Sequence, residues 1–268
     1  MLDPRKPAFF AITAIVLAAT TYSVLYGTYL DTSDPLLSQL PHPLSNSTYW
    51  ARKSNILNQW IKISWGLTSI VFWSLFLSSP RPAMRVQRVI KWLLETATWM
   101  IFTTWFFGPS VLERVVLISG GECLLSTPHG DAITVPTQYC IQKQSVSHST
   151  HPHLFTSFLP SPDWQGAPRL KRGHDISGHI FLLTMAVLFL ADQLRASLRF
   201  QSTWSAPHQL AVLSSVVLIA VWLFGIYTTS LYFHTPSEKL SGYCTSLFFL
   251  IYSLTQIKFE YLGWPPSA

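Results

Sequence analysis

A polar run with two histidines stands directly before an apolar stretch of the chain. Residues 173–179 read Gly-His-Asp-Ile-Ser-Gly-His, and residues 180–190 are uncharged and almost entirely apolar. Ionisable groups at the edge of a membrane span are costly to desolvate, so they indicate a functional site. The alternative interpretation is a histidine that only snorkels to the membrane interface.

A second histidine strengthens the functional interpretation. His234 lies just past the apolar segment 210–231, and His179 opens the segment that begins near residue 176. Because these two segments would cross the membrane antiparallel, both histidines should lie at the same membrane face. A neutral imidazole can attack phosphorus, and a protonated imidazole can give its proton to a leaving oxygen. The pair therefore predicts phosphoryl-transfer chemistry.

Phosphoryl oxygens also require cations and hydrogen-bond donors. Basic residues lie close to both histidines, since Lys239 follows His234 by five positions and a basic group at 169–172 precedes His179. An aspartate in the polar run could orient a histidine, and a serine could donate to an oxygen. A helix that begins near this serine would add its free N–H groups. The candidate substrate-binding residues are Lys239, Ser177, Asp175 and Arg172.

The composition is that of a membrane protein. Of the 268 residues, 49% are hydrophobic and 11% are charged, whereas a soluble domain carries about 25% charged residues. The net charge of +6 is read as a topology signal and not as affinity for nucleic acid. Three scattered cysteines give no zinc-binding spacing. We therefore expect an all-α integral membrane protein.

A span requires about 20 mostly apolar residues, and six windows come close. The first begins after Arg5 and Lys6 and is too long for the apolar part of a signal peptide, so we interpret it as a retained span. The fourth is short, and hydropathy alone would allow it to be re-entrant. The windows are approximately 8–30, 56–78, 89–107, 176–191, 210–231 and 240–257.

The basic residues predict the orientation. Arginines and lysines concentrate at the N-terminus and in the loops after the second and fourth windows. These segments share one side, which we predict to be cytosolic together with both termini. Arg52 and Lys53 on the other side weaken this assignment without reversing it. The glycosylation sequon at Asn46 falls on the predicted lumenal side.

The segment 108–175 is then a long lumenal loop with a turn-like composition. His148, His151 and His153 cluster in it, but they lack helical spacing and an acidic partner, so we expect solvated side chains and no metal site. His129 lies in the same loop. Cys123 and Cys140 would face an oxidising compartment, which leaves a disulfide open as an alternative to free thiols.

Three motifs resemble the fat storage-inducing transmembrane family, in particular its fungal branch. Residues 173–184 read Gly-His-Asp-Ile-Ser-Gly-His-Ile-Phe-Leu-Leu-Thr, and residues 232–242 read Tyr-Phe-His-Thr-Pro-Ser-Glu-Lys-Leu-Ser-Gly. Residues 105–110 read Trp-Phe-Phe-Gly-Pro-Ser and are followed by Glu113-Arg114, by Gly120-Gly121 and by Cys123. Six spans with a long third connection agree with the layout of that family.

The resemblance implies an endoplasmic-reticulum enzyme related to the lipid phosphate phosphatases. Family members are described as acyl-coenzyme A diphosphatases, which cleave the pyrophosphate to acyl 4′-phosphopantetheine and adenosine 3′,5′-bisphosphate. They support phospholipid balance, membrane structure and lipid-droplet formation. By motif position, His179 matches the first catalytic histidine and His234 the second. The phosphatase analogy makes His234 the nucleophile and His179 the acid, and it implies no cofactor.

The chain departs from the wider phosphatase pattern in its phosphate clamps. Arg81-Pro82 lacks a lysine seven positions earlier, where Ser74 stands, and this loop would be cytosolic. His174 is not expected to be catalytic. Besides fatty acyl-CoA, the implied partners are phospholipids, neutral lipids and the membrane. The alternative function is non-enzymatic, with diacylglycerol or triacylglycerol bound and partitioned into droplets. A transporter is disfavoured because no internal repeat is visible.

Overall fold

The computed structural model describes residues 3–31, 40–79, 85–103, 109–127, 132–155, 161, 163–200 and 204–261. Several sequence features fall outside these residues. They are the motif segment 105–108, with the end of the third predicted window, as well as Arg81-Pro82 and His129.

Every predicted window corresponds to a helix or to a pair of helices. In chain order the helices are α1 (Arg5–Leu25), α2 (Ile56–Lys62), α3 (Ser64–Ser78), α4 (Arg85–Thr103), α5 (Val111–Ile118), α6 (Thr137–Ile141), α7 (Gly178–Phe200), α8 (Ala206–Tyr232) and α9 (Pro236–Tyr261). Single 3-10 turns occur at Pro43–Ser45, Tyr49–Ala51 and Pro152–Leu154. The predominantly helical architecture of a membrane protein is confirmed.

Within the described residues, fewer helices meet the length and hydropathy of a span than the six predicted. α1, α7 and α8 qualify singly, and the stretch Tyr49–Lys62 forms a fourth candidate with α3, bent by 41°. α4 carries Arg88, Lys91 and Glu95, which lower its hydropathy. Six spans therefore remain a prediction. The fourth window is longer than expected, because the apolar part of α7 continues to Leu198.

α7 lies at the centre of the bundle. It packs against α1, α3, α8 and α9, and most of its length is buried. Ile180 and Leu183 join one apolar cluster with α1 and α8, while Phe181 and Phe189 join a second with α3 and α4. A β-carbon at Gly225 of α8 would lie 2.7 Å from Leu183 Cδ1. Small residues permit such close helix packing where lipid removes the hydrophobic driving force.

Ion pairs fix the other end of α7. Asp192 pairs with Lys91 of α4 and lies 3.6 Å from the Arg5 guanidinium of α1. Arg88 Nε donates to the buried Gln193 side chain at 2.8 Å. Because α1 and α4 are tied to the far end of α7, the helix has a defined depth in the bundle, and its first turn is held at a fixed level.

The described parts of residues 109–175 form a small folded unit, and we call this segment the connector. Its three-stranded antiparallel sheet has the order β2 (Ala132–Thr134), β1 (Glu122–Ser126), β5 (Arg169–Lys171), and β3 (Val146–Ser147) pairs with β4 (Gln165–Gly166). Cys123 and Cys140 form a disulfide within an apolar cluster that includes Leu125 and Phe155. The sequence did not predict these strands, because such short strands leave no clear hydrophobic period, and the lumenal location of the segment stays a prediction.

Candidate active site

The polar run forms the cap of α7. The Phe181 N–H donates to the Ser177 carbonyl at 3.0 Å, so Ser177 is the cap and His179 lies in the first turn. The first N–H groups of a helix have no partner within it and carry partial positive charge. The Ser177 hydroxyl is fully buried and has no hydrogen-bond partner among the described residues. This helix end thus offers several donors to an anion.

His234 occupies the turn between α8 and α9. Its backbone is left-handed, with φ of 64°, a conformation that is uncommon for residues other than glycine. The turn is fixed by a capping box, in which the Thr235 N–H donates to Glu238 Oε2 at 2.9 Å and the Glu238 N–H approaches Thr235 Oγ1 at 3.5 Å. The local sequence therefore holds the imidazole at the end of the bundle.

Glu238 joins the two histidine segments. Its Oε1 accepts the Asp175 N–H at 3.2 Å, and its carbonyl accepts the Ser177 N–H at 3.0 Å. Its Oε2 lies 3.6 Å from His234 Nδ1, so it orients the ring with Nε2 directed away from the carboxylate. α9 packs closely against the start of α7, since a β-carbon at Gly242 of α9 would lie 2.6 Å from the Ser177 carbonyl oxygen.

His179 and His234 lie at the same end of the bundle. Both side chains are partly buried, and they interact electrostatically with each other. Asp175 is a further neighbour of His234. The two residues that the sequence selected as a pair are thus near one another, at the level where α7 begins and α8 ends.

The pKa values of two carboxyl groups beside the histidine pair are shifted in opposite directions. Burial raises the pKa of Asp175, and the nearby Glu238 charge raises it further, against the opposing charges of His234 and Lys171. Burial alone would also raise the pKa of Glu238. Hydrogen bonds from His234 and the Thr235 N–H outweigh this effect, so the pKa of Glu238 is lowered. Glu238 is therefore the better ionised partner for a histidine.

The two cations chosen from the sequence are engaged elsewhere. Arg172 is exposed and forms an ion pair with Glu122 at 2.8 Å. Lys239 is fully buried, and its ammonium donates to Ser23 Oγ of α1 at 2.8 Å and lies 4.9 Å from the centre of the Tyr29 ring.

Two other lysines interact electrostatically with residues of the candidate site. Lys171 is partly buried and interacts electrostatically with Asp175 and Glu238. Lys62 ends α2 at the break in the bent pair and interacts with His179.

A third histidine, which sequence reasoning missed, holds the chain ahead of His234. His42 is buried, its Nδ1 accepts the Leu44 N–H at 3.0 Å, and its Nε2 contacts the carbonyls of Thr28 and Tyr232, each at 3.0 Å. Nε2 therefore carries the proton, and burial lowers the pKa of the ring. The link runs from the α1–α2 loop to the end of α8.

His174 also has a positioning role. Its N–H donates to Ser119 Oγ at 2.7 Å, and its Nε2 contacts Ser241 Oγ at 2.9 Å. A β-carbon on the preceding Gly173 would clash with the Val116 carbonyl. The end of the connector, at Gly173 and His174, is therefore held between α5 and α9 beside the histidine pair. No group of three metal-ligating side chains occurs in the part of the chain that the structure describes.

An apolar groove runs along the outside of the bundle between α2 and α8. Its volume is about 440 Å³, and its walls include Trp50, Trp60, Val217 and Phe224. The groove has almost no polar surface, so it suits a hydrocarbon chain.

The sequence model for the fat storage-inducing transmembrane (FIT) protein family matches residues 46–214 and 200–253, which include both histidines. The chain belongs to the FIT family. The resemblance of its motifs to this family is thereby confirmed. No solved structure matches the chain.

Named relatives cover most of this FIT protein. Acyl-coenzyme A diphosphatase fit1 of Schizosaccharomyces pombe is 27% identical over 208 residues, which are 76% of this chain and 71% of that protein. Acyl-coenzyme A diphosphatase FITM2 of Xenopus tropicalis is 28% identical, covering 84% and 79%. Fat storage-inducing transmembrane protein 1 of Homo sapiens is 29% identical, covering 82% and 68%.

Proposed function

We propose that this FIT protein hydrolyses the pyrophosphate of fatty acyl-CoA, giving acyl 4′-phosphopantetheine and adenosine 3′,5′-bisphosphate. The observation that carries the proposal is the histidine pair. His179 lies in the first turn of α7, His234 lies in the α8–α9 turn, and the Glu238 carboxylate lies beside His234. Two relatives that bear the name acyl-coenzyme A diphosphatase support the substrate class.

His234 is the proposed nucleophile. Glu238 Oε2 lies 3.6 Å from Nδ1, and Nε2 is the atom proposed to attack a pyrophosphate phosphorus. The N–P bond forms as the bridging P–O bond breaks, and His179 gives its proton to the leaving phosphate oxygen. Water then attacks the phosphohistidine, His179 takes a proton from it, and the N–P bond breaks. One water is consumed, and both histidines return to their starting state.

The oxygens of the transferred phosphoryl group are proposed to bind at the start of α7. The Ser177 hydroxyl is a buried donor without a partner among the described residues, and the free N–H groups of the first turn add to it. Lys171 and Lys62 supply positive charge. Arg172 could contribute only after leaving Glu122, and Lys239 only after leaving Ser23. Asp175, a neighbour of His234, is proposed to contribute to substrate binding beside it.

The proposed location is the endoplasmic-reticulum membrane, with the connector in the lumen and both termini in the cytosol. The Cys123–Cys140 disulfide supports an oxidising compartment for the connector. The sequon residue Asn46 is exposed, as glycosylation requires. Phospholipids and neutral lipids of this membrane are proposed partners, because the reaction would change the supply of acyl chains.

The test uses protein purified in detergent with oleoyl-CoA, and the product measured is adenosine 3′,5′-bisphosphate. His179→Ala and His234→Ala should each abolish product while thermal unfolding remains cooperative. His151→Ala is the matched control, since His151 lies in the connector and contacts Thr150 and Tyr139. Wild-type turnover in either active-site variant would exclude the pair as the catalytic centre.

The orientation and the alternative function have their own tests. Asn46→Gln should remove an endoglycosidase-sensitive band shift, and a sequon inserted near residue 150 should create one. An unmodified connector would contradict the lumenal site. If the protein only partitions neutral lipid into droplets, both histidine variants should restore droplet formation in cells as well as wild type does.

A further inference from the structure

The connector contains a cavity separate from the histidine pair. Its volume is about 390 Å³, within the range of small-molecule sites. It opens between α5, the residues after α6, and β5. Its apolar walls are formed by Leu112, Val116, Pro168 and Leu170. A flat aromatic base could lie between such walls.

Two cations border the same cavity. Lys143 follows α6 in a left-handed conformation with φ of 53°, and Arg169 opens β5. Both side chains are exposed. In the described part of the chain, neither forms an ion pair with a carboxylate. Glu113 also borders the cavity, but its Oε2 already accepts the Ser110 N–H at 2.7 Å. The cavity is therefore lined by two cations that form no ion pair among the described residues, as a phosphate site requires, and by the carboxyl groups of Glu113 and Asp175.

Asp175 is common to the cavity and to the surroundings of the histidine pair. This residue lines the cavity, while its N–H donates to Glu238. It precedes His179 by four positions, so the two α-carbons are at most about 14 Å apart. Lys171 follows Arg169 by two positions on β5 and interacts electrostatically with Asp175. A ligand that bridged the two regions would pass Arg169 and Lys171 as well as the carboxyl group of Asp175.

We propose that this cavity binds the 3′-phosphoadenosine end of the substrate, with the base between the apolar walls and the 3′-phosphate on Lys143 and Arg169. The 5′-phosphate would then extend past Asp175 towards the histidines. The inference rests on the proposed function, and it adds that the connector selects substrates by their nucleotide. The enzyme would distinguish CoA esters from other membrane pyrophosphates.

Two substrates that differ by one phosphate test the proposal. Wild type should hydrolyse oleoyl-CoA with a kcat/KM at least about tenfold above that for oleoyl-3′-dephospho-CoA, the cost of losing one charged hydrogen bond. In Lys143→Ala and Arg169→Ala, this preference should fall towards one, mainly through a higher KM for oleoyl-CoA. Arg114→Ala is the matched control, because Arg114 donates to the Pro109 carbonyl and does not line the cavity.

Nucleotide binding is measured separately, so that failure of the reaction is distinguishable from failure of the site. Titration calorimetry with adenosine 3′,5′-bisphosphate on the His179→Ala protein should show binding that Arg169→Ala weakens by about tenfold. If wild type hydrolyses no acyl-CoA but this binding is present, the proposed function fails and the nucleotide site stands. If both substrates react equally, or if Arg169→Ala binds nucleotide as the Arg114→Ala control does, the nucleotide site is refuted.

Discussion

Replacing Glu238 with glutamine would test how the site is held together. The carboxylate accepts the N–H groups of Thr235 and Asp175 and faces His234 Nδ1. Glutamine keeps one acceptor oxygen for one of these two N–H groups, while its amide NH₂ faces the second N–H group and cannot accept from it. An unsatisfied buried donor costs about 1–3 kcal/mol, so the free energy of unfolding should fall by that amount. Since the histidine also loses the carboxylate that orients it, kcat should fall about 10²-fold.

The assay is oleoyl-CoA turnover, corrected for the folded fraction from a thermal melt in detergent. Thr235→Ala is the matched control, since it removes the cap oxygen and leaves the carboxylate in place. It should cost about 0.5–2 kcal/mol of stability without the large loss of kcat. Wild-type kcat in Glu238→Gln, or an equal loss in Thr235→Ala, would refute the orienting role.

Three further predictions concern the surroundings of the site. Gly242→Ala would place a β-carbon 2.6 Å from the carbonyl that caps α7, so it should lower stability by about 1–3 kcal/mol and reduce turnover. Gly66→Ala is the control, because a β-carbon at Gly66 would have no atom within 4 Å, and it should neither lower stability nor reduce turnover. Because the pKa of Asp175 is raised by burial, the folded protein loses stability as pH rises through that pKa. Asp175→Asn should therefore melt at a higher temperature than wild type at pH 7, and the difference should vanish at about pH 4; an equal gap at both values would contradict this. Replacing Cys123 and Cys140 by serine removes a disulfide that joins residues 17 positions apart, and it should lower the stability of the connector by about 3 kcal/mol. Proteolysis of the variant should be faster than that of wild type, and adding a reductant should accelerate proteolysis of wild type only.

The positions of the helices were predictable because a membrane span is recognised from the hydropathy of a single local stretch of sequence. The proximity of His179 and His234 was also predictable, since it follows from two antiparallel spans and the positions of the residues along them. The family membership followed from the same motifs. What hydropathy did not predict was the break before Ser64, which brings Lys62 near His179. Such a break depends on packing against other helices.

Glu238 shows a missed signal of a different kind. The pattern Thr-x-x-Glu at 235–238 indicates a capping box, and it would have placed this carboxylate at the start of α9 beside His234. By contrast, nothing in the sequence indicates that Arg172 pairs with Glu122 or that Lys239 turns towards Ser23. Closeness along the chain does not determine where a long side chain points, so the cations were the least predictable part of the site.

The contacts around the α8–α9 turn have a consequence for biosynthesis. Thr28 Oγ1 donates to the Leu231 carbonyl across 203 positions, and Lys239 reaches Ser23 across 216. The ribosome delivers α1 first and its partners last, so α1 must stay in the bilayer without them while the connector, which is lumenal in the proposed orientation, is translocated. The proposed histidine site is therefore completed only by insertion of the final hairpin. A chain that stops before α9 would present an unfinished α1 and an unsupported α7 to membrane quality control, and it would carry no activity.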